Sequence, residues 1–84
     1  MGYCLITFRS VTPAQRGENV IKRAGFDCSV RRTPRWMEEQ GCGYSLRVRP
    51  GDAAQCVQLL RNANVPFRKV YLRRENDTIE ELSL

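Results

Sequence analysis

The chain repeats one order of elements in each of its halves: a strand, a helix and a second strand. β-branched and aromatic residues indicate the first strand, alternating apolar and polar residues indicate the third, and apolar residues at three- and four-residue spacing indicate the helices. The strands are predicted over 3–9, 26–32, 44–49 and 67–73. Because crossovers between such units are right-handed, the order βαββαβ predicts an α+β sandwich of the ferredoxin-like type. We expect a four-stranded antiparallel sheet with the first and third strands at its centre and both helices on one face.

Capping residues indicate where each predicted helix begins and ends. Thr12 and Asp52 suit the N-cap position, and each is followed three residues later by glutamine, as in a capping box. Pro13 suits the first helical position, where a missing N–H costs nothing. Gly25 and Asn64 are expected to end the two helices in the left-handed conformation.

The length of 84 residues allows a single domain, which we place at 1–73. A domain of this size buries only about 60% of its unfolded surface, so a shallow site is more realistic than an enclosed one. Residues 74–84 are acidic and polar, and we expect them to form a frayed tail. No signal peptide or membrane segment is recognisable, so we expect a cytoplasmic protein with reduced thiols and no membrane partner.

Arginine supplies most of the positive charge of this basic chain. Lysine and arginine together number 14 against 9 acidic residues, which gives a net charge of +5. Arginine is well suited to carboxylates, phosphates and protein interfaces. Arg47 and Arg49 alternate with Leu46 and Val48, which places both arginines on the sheet face without helices. This charge predicts either an anionic partner or a solvated basic surface.

A cysteine between two glycines is the best candidate for covalent chemistry. The chain has no histidine, which excludes the commonest general base and metal ligand. Gly41 and Gly43 leave the thiol of Cys42 without neighbouring side chains, although the glycines could instead serve only to shape a turn. The other cysteines, at positions 4, 28 and 56, fall on predicted core positions. No Cys-x-x-Cys pair is present, so neither a metal site nor a cofactor is expected.

The predicted topology brings further candidate site residues to the same edge as Cys42. The end of the first strand, the start of the first helix, the end of the second strand and the start of the third strand share this edge. The residues expected there are Arg9, Ser10, Thr12, Arg31 and Arg32, with the loop that carries Arg35 and Trp36 above them. A helix N-terminus and nearby guanidinium groups favour a thiolate over a thiol. We therefore expect Cys42 to be an accessible nucleophile. Trp36 could either cover the core or form part of a protein-docking patch.

Four short motifs are spread along the chain: Thr7-Phe8-Arg9-Ser10, Thr33-Pro34-Arg35, Cys42-Gly43 and Leu46-Arg47. Together they resemble the Se/S carrier protein-like family of small bacterial proteins, and the resemblance covers roughly residues 3–73. It implies that Cys42 is the family's signature cysteine. Thr33, Pro34 and Arg35 take the place of its Thr-Pro-Arg segment, and Ser10 with Thr12 that of its hydroxyl turn. The chain departs from the family pattern in having Gln40-Gly41 before the cysteine and a longer loop that contains Trp36.

The resemblance implies a sulfur or selenium carrier rather than a true enzyme. Cys42 would accept a persulfide or selenopersulfide from a donor protein, such as a cysteine desulfurase, and pass it to an acceptor protein. The alternative is a non-catalytic regulatory or protein-interaction module, with a homodimer left open. RNA binding is disfavoured, because strand three offers Ser45, Arg47 and Arg49 rather than aromatic residues on its exposed side.

Overall fold

The computed structural model describes residues 2–33, 43–75 and 78–83. Five strands and two α-helices lie within these ranges. The strands are β1 (Tyr3–Phe8), β2 (Cys28–Arg32), β3 (Tyr44–Val48), β4 (Val70–Arg73) and β5 (Ile79–Leu82). The helices are α1 (Val11–Arg23) and α2 (Ala53–Asn62), and a short 3₁₀ helix, Pro50–Asp52, leads into α2. No helix within the described ranges is long and apolar enough to span a membrane.

All strand pairs are antiparallel, and the five strands form one sheet in the order β2-β3-β1-β4-β5. The predicted α+β class with two helices is confirmed, and β1 and β3 are neighbouring inner strands. The predicted count of four strands is wrong, because β5 pairs with β4 in the segment that we expected to be a frayed tail. Leu82 of β5 packs against the core, and Glu80 and Glu81 form ion pairs with Arg74 and Lys69. These contacts explain how an acidic segment can complete a sheet edge.

One face of the sheet carries the core and both helices. Cys4, Ile6 and Phe8 alternate along β1, and each is at most 1% exposed. They join buried residues of both helices in one cluster. Gly17 of α1 allows a close approach there: a Cβ atom at this position would lie 3.0 Å from side-chain atoms of both Leu46 and Leu60. The missing side chain of Gly17 thus lets α1 approach both β3 and α2 closely.

The two predicted C-terminal caps are confirmed, and the N-cap of α1 lies two residues earlier than predicted. Gly25 and Asn64 have positive φ angles of 93° and 55° after α1 and α2, as expected for left-handed C-terminal caps. The first helix begins earlier than predicted, because Ser10 rather than Thr12 occupies the N-cap position. Asp52 is the N-cap of α2, but its side chain forms no capping hydrogen bond, since the 3₁₀ helix runs directly into α2.

Candidate functional site

The ends of three strands and the beginning of α1 meet at one end of the sheet, as the sequence predicts. Tyr44, the first residue of β3, pairs with Phe8 on one side and with Arg32 on the other. Arg9 and Ser10 follow Phe8 directly, and α1 begins at the next residue. We call this region the hairpin end of the sheet. It is defined by Arg9, Ser10, Arg32, Thr33 and Gly43.

The backbone of Thr33 and Gly43 closes the base of the β2–β3 connection. The N–H of Thr33 donates a hydrogen bond to the carbonyl oxygen of Gly43, with the two atoms 2.9 Å apart. Both residues are buried, and Thr33 is 7% exposed. The Thr33 hydroxyl is buried and has no hydrogen-bond partner among the described residues. A buried hydroxyl of this kind is costly unless some further group pairs with it.

The hairpin end is positively charged. The side chains of Arg9 and Arg32 are exposed, and neither forms an ion pair with a carboxylate in the described parts of the chain. The guanidinium carbon of Arg32 lies 6.0 Å from the centre of the Tyr44 ring. Thr12 is exposed in the first turn of α1, whose N-terminal N–H groups add partial positive charge to this end.

The expected site residues are only partly covered by the structure. Arg9, Ser10, Thr12, Thr33 and Gly43 lie at or beside the hairpin end, and Arg31 lies in the last part of β2. On β2, however, Arg31 pairs with Ser45 and therefore belongs to the opposite sheet face from Arg32. The other five expected site residues lie outside the described residues; they are Pro34, Arg35, Trp36, Gly41 and Cys42.

The three described cysteines are held as thiols. Burial raises the pKa of Cys4 and, together with the nearby charge of Asp52, raises the pKa of Cys56 to about 11. Burial is also the main cause of the raised pKa of Cys28, with a further contribution from the carboxylate of Glu18. Because the thiolate is the reactive form, none of these three groups is suited to act as a nucleophile near neutral pH.

No metal centre is built by the described residues. Among them, no group of three or more histidine, cysteine, aspartate or glutamate side chains is placed to hold a metal ion. The arrangement at the hairpin end offers guanidinium groups, a buried hydroxyl and helix N–H groups. These groups can bind an anion or stabilise developing negative charge, so the end of the sheet is suited to a reaction that produces an anion.

A second polar cluster, which sequence reasoning missed, lies on the sheet face without helices. The guanidinium carbon of Arg47 lies 3.9 Å from the centre of the Tyr3 ring. Nη1 of Arg73 donates a hydrogen bond of 2.9 Å to the Tyr3 hydroxyl. The residues come from three neighbouring strands, so their proximity depends on strand register. The available signal was the alternation in β1, which places Tyr3 and Leu5 on the opposite face from Cys4.

These observations describe a small α+β domain with a basic sheet end that includes Gly43. The family model described as "Putative Se/S carrier protein-like" matches residues 3–72. The chain belongs to this family, and the resemblance seen in its sequence motifs is confirmed. Searches of curated proteins and of solved structures give no match.

Proposed function

We propose that this protein carries sulfur or selenium as a persulfide or selenopersulfide on Cys42. The Cys42 thiolate attacks the terminal sulfur of a persulfide on a donor protein, and a new S–S bond forms as the donor's S–S bond breaks. The donor leaves as a thiolate, and the carrier retains a persulfide anion, so no external oxidant or reductant is needed. In a second exchange of the same kind, a thiolate of the acceptor protein takes the outer atom, and Cys42 leaves as a thiolate.

The state of the other three cysteines is the observation that carries this proposal. Cys4, Cys28 and Cys56 have raised pKa values and lie partly or fully within the core, so each is a poor nucleophile. Cys42 is the remaining thiol of a chain that has no histidine. Membership of the Se/S carrier protein-like family gives independent support to a carrier role.

The hairpin end supplies groups that suit an anionic sulfur. We assign charge stabilisation to Arg9 and Arg32, whose guanidinium groups have no carboxylate partner among the described residues. We assign to the buried hydroxyl of Thr33 a hydrogen bond that orients the segment it introduces. Gly43 follows the cysteine directly, and its carbonyl is fixed by the bond from Thr33. The remaining proposed donor- and acceptor-binding residues are Ser10, Thr12, Pro34, Arg35, Trp36 and Gly41.

The proposed carrier works between protein partners in the cytoplasm. We expect a donor of the cysteine desulfurase type, an acceptor protein and, as an open possibility, a homodimer. We also propose that the first four strands and the two helices form a ferredoxin-like core to which β5 is added. The order β2-β3-β1-β4 and the shared helix face support this assignment.

Intact-mass spectrometry tests the carrier role directly. The wild-type chain is incubated with a cysteine desulfurase and cysteine, and we expect it to gain the mass of one sulfur atom. The Cys42→Ser variant should gain none, whereas Cys28→Ser, which changes a partly buried thiol, should still be loaded. Selenocysteine as the substrate of the donor tests selenium in the same way.

Two results would overturn the carrier proposal. One is a wild-type chain that takes up no sulfur from any desulfurase tested, and the other is persistent loading of Cys42→Ser. If, in addition, Cys42→Ala behaved as wild type in cells, the non-catalytic interaction module would replace the carrier. Labelling of the four thiols with iodoacetamide near neutral pH gives a faster check, since we expect Cys42 to react first.

A further inference from the structure

The sheet face without helices carries polar and charged side chains around a few buried residues, and we call it the open face. Strand register defines its members, because residues that pair across strands point to the same side of a sheet. Tyr3 pairs with Arg73, and Leu5 pairs with Arg47 on one side and with Tyr71 on the other. Its exposed and half-buried members are Tyr3, Ser29, Arg31, Arg47, Tyr71, Arg73, Ile79 and Glu81.

Tyrosine and arginine are stacked on this surface at the beginning of β1. The guanidinium carbon of Arg47 lies 3.9 Å from the centre of the Tyr3 ring, and Arg73 donates a hydrogen bond to the Tyr3 hydroxyl. This arrangement fixes the ring without burying it, since Tyr3 remains half-exposed. A guanidinium plane that rests on one aromatic ring can stack a second ring on its outer side.

The open face carries unbalanced positive charge. Arg31 and Arg47 are exposed, and neither is paired with a carboxylate among the described residues. Glu81 is in register with this face, and it is paired with Lys69 at 3.3 Å. A hollow of about 310 Å³ lies beside Tyr3 and is lined in part by Ser29, Arg31 and Arg47. Asp27 also lines this hollow, and its carboxylate is paired with Arg49 at 3.2 Å. The surface is therefore suited to a partner that brings both anionic groups and flat rings.

We infer that the open face binds single-stranded RNA. Phosphates would contact Arg31, and bases would stack on Tyr71 and on the outer side of the Arg47 guanidinium group, as on other sheet platforms for single strands. Tyr3, which carries the Arg47 stack, and Tyr71 are diagonal neighbours on adjacent strands at a spacing of about 7–8 Å, so the two stacking positions can take different bases. Strand three alone offers no exposed aromatic residue; β1 and β4 supply the two tyrosines.

The chemistry of the face favours RNA over an acidic protein. A protein interface needs an apolar centre, but Leu5, the aliphatic residue of the inner strand β1, is only 4% exposed, and the half-buried Ile79 lies on the edge strand β5. The exposed groups of the open face are mainly aromatic rings, guanidinium groups and hydroxyls. The side chains of Ser29 and Tyr71 have no hydrogen-bond partner among the described residues, so both are available to 2′-hydroxyl groups. This inference does not depend on Cys42 or on the carrier proposal.

Fluorescence anisotropy with a labelled single-stranded RNA of about 12 nucleotides tests the inference, first at about 50 mM and then at about 200 mM salt. We expect saturable binding that weakens at least about tenfold at the higher salt concentration, because counterions are released on binding. The Arg47→Gln and Tyr71→Leu variants should each weaken binding by about fivefold or more. Arg16→Gln, which removes the same charge from the exposed side of α1, is the matched control and should change affinity less than about twofold.

Further measurements distinguish RNA binding at the open face from binding elsewhere on this basic domain. Duplex RNA and single-stranded DNA of the same sequence should bind more weakly than the RNA strand, and Cys42→Ser should bind it as wild type does. Amide shifts on RNA addition should concentrate on β1, β3 and β4 and spare α1. Absence of RNA binding at low salt would overturn the inference. Equal losses in Arg47→Gln and Arg16→Gln would do so too, as would a preference for duplex RNA, for single-stranded DNA or for an acidic protein.

Discussion

The two faces of the sheet are built from the same strands and have opposite chemistry. On the helix face, Cys4, Ile6 and Phe8 of β1 are at most 1% exposed and pack into a dry core. On the open face, Tyr3 of the same strand stacks with Arg47 from the neighbouring strand. Alternation of side chains along a single strand is enough to separate the two environments.

This difference shows where chemistry is possible in so small a domain. Three cysteines lie on the helix face, where burial raises their pKa values and keeps them as unreactive thiols. The open face and the hairpin end keep charged groups in contact with solvent. We therefore expect a nucleophile or a binding surface on the open face or at the hairpin end. The helix face contributes most of the stability.

The largest expected effect comes from truncating adjacent residues of β1 that point to opposite faces. Replacing a buried aliphatic residue by alanine costs about 2–5 kcal/mol, with the cost set by how well the site can collapse. We expect Ile6→Ala to fall at the upper end of that range, because Ile6 is 0% exposed beneath two helices. Leu5→Ala should fall at the lower end, since Leu5 is 4% exposed and lies on the sheet face that carries no helix. Urea unfolding followed by circular dichroism measures both.

Equal costs for the two substitutions would contradict the contrast between the faces. Ile6→Val and Leu5→Val serve as milder controls if either alanine variant fails to fold. The order of the two costs should be the same in both pairs.

We expect the buried thiols of the helix face to determine how the free energy of unfolding falls at alkaline pH. An unfolded thiol ionises near a pH of roughly 8.5, whereas burial raises the pKa of Cys56 to about 11. The stabilisation linked to this proton is complete below the unfolded value and is lost as the pH rises through the folded one. We expect this thiol alone to remove about 1–2 kcal/mol between about pH 8.5 and 10.5, measured by urea unfolding across that range. Cys4 and Cys28 act in the same direction.

Cys56→Ala should flatten this pH profile while lowering stability at neutral pH. Ile21→Val is the matched control, because it also trims the helix-face core but removes no ionisable group. It should keep the wild-type slope. An unchanged slope in Cys56→Ala would show that other groups govern the alkaline transition.

Much of the core could be predicted from local pattern, whereas the surface clusters could not. The β-branched and aromatic content of β1, the alternation in β3 and the left-handed caps at Gly25 and Asn64 are local signals, and the structure bears them out. β5 escaped prediction because its acidic residues form ion pairs with Lys69 and Arg74 that only the folded sheet brings near. The contact between Tyr3 and Arg47 joins residues far apart in sequence, so it requires the register as well as the pattern.

The residues of the candidate site also differ in how far the sequence predicts their positions. The observed pairing of β3 with β1 and with β2 brings Arg9, Arg32 and Gly43 to one end of the sheet, so strand pairing is sufficient to group them. Arg31 was expected with them, but the pleat turns it towards the open face, opposite to Arg32. Two arginines that are adjacent on one strand thus lie on opposite faces of the sheet.

The smallest expected effect tests the open face without any ligand. A double-mutant cycle of Tyr3→Leu and Arg47→Gln should give a coupling energy of about 0.5–1 kcal/mol, as is usual for exposed cation–π pairs. The lost hydrogen bond from Arg73 to Tyr3 occurs in both variants that carry Tyr3→Leu, so it cancels in the cycle. The same cycle with Arg16→Gln should be additive within about 0.5 kcal/mol, because Arg16 lies on α1, on the other side of the sheet. A Tyr3–Arg47 coupling no larger than this control would mean that the ring and the guanidinium group are neighbours without being bound. The open face would then be a solvated surface with no preformed stack to offer a base.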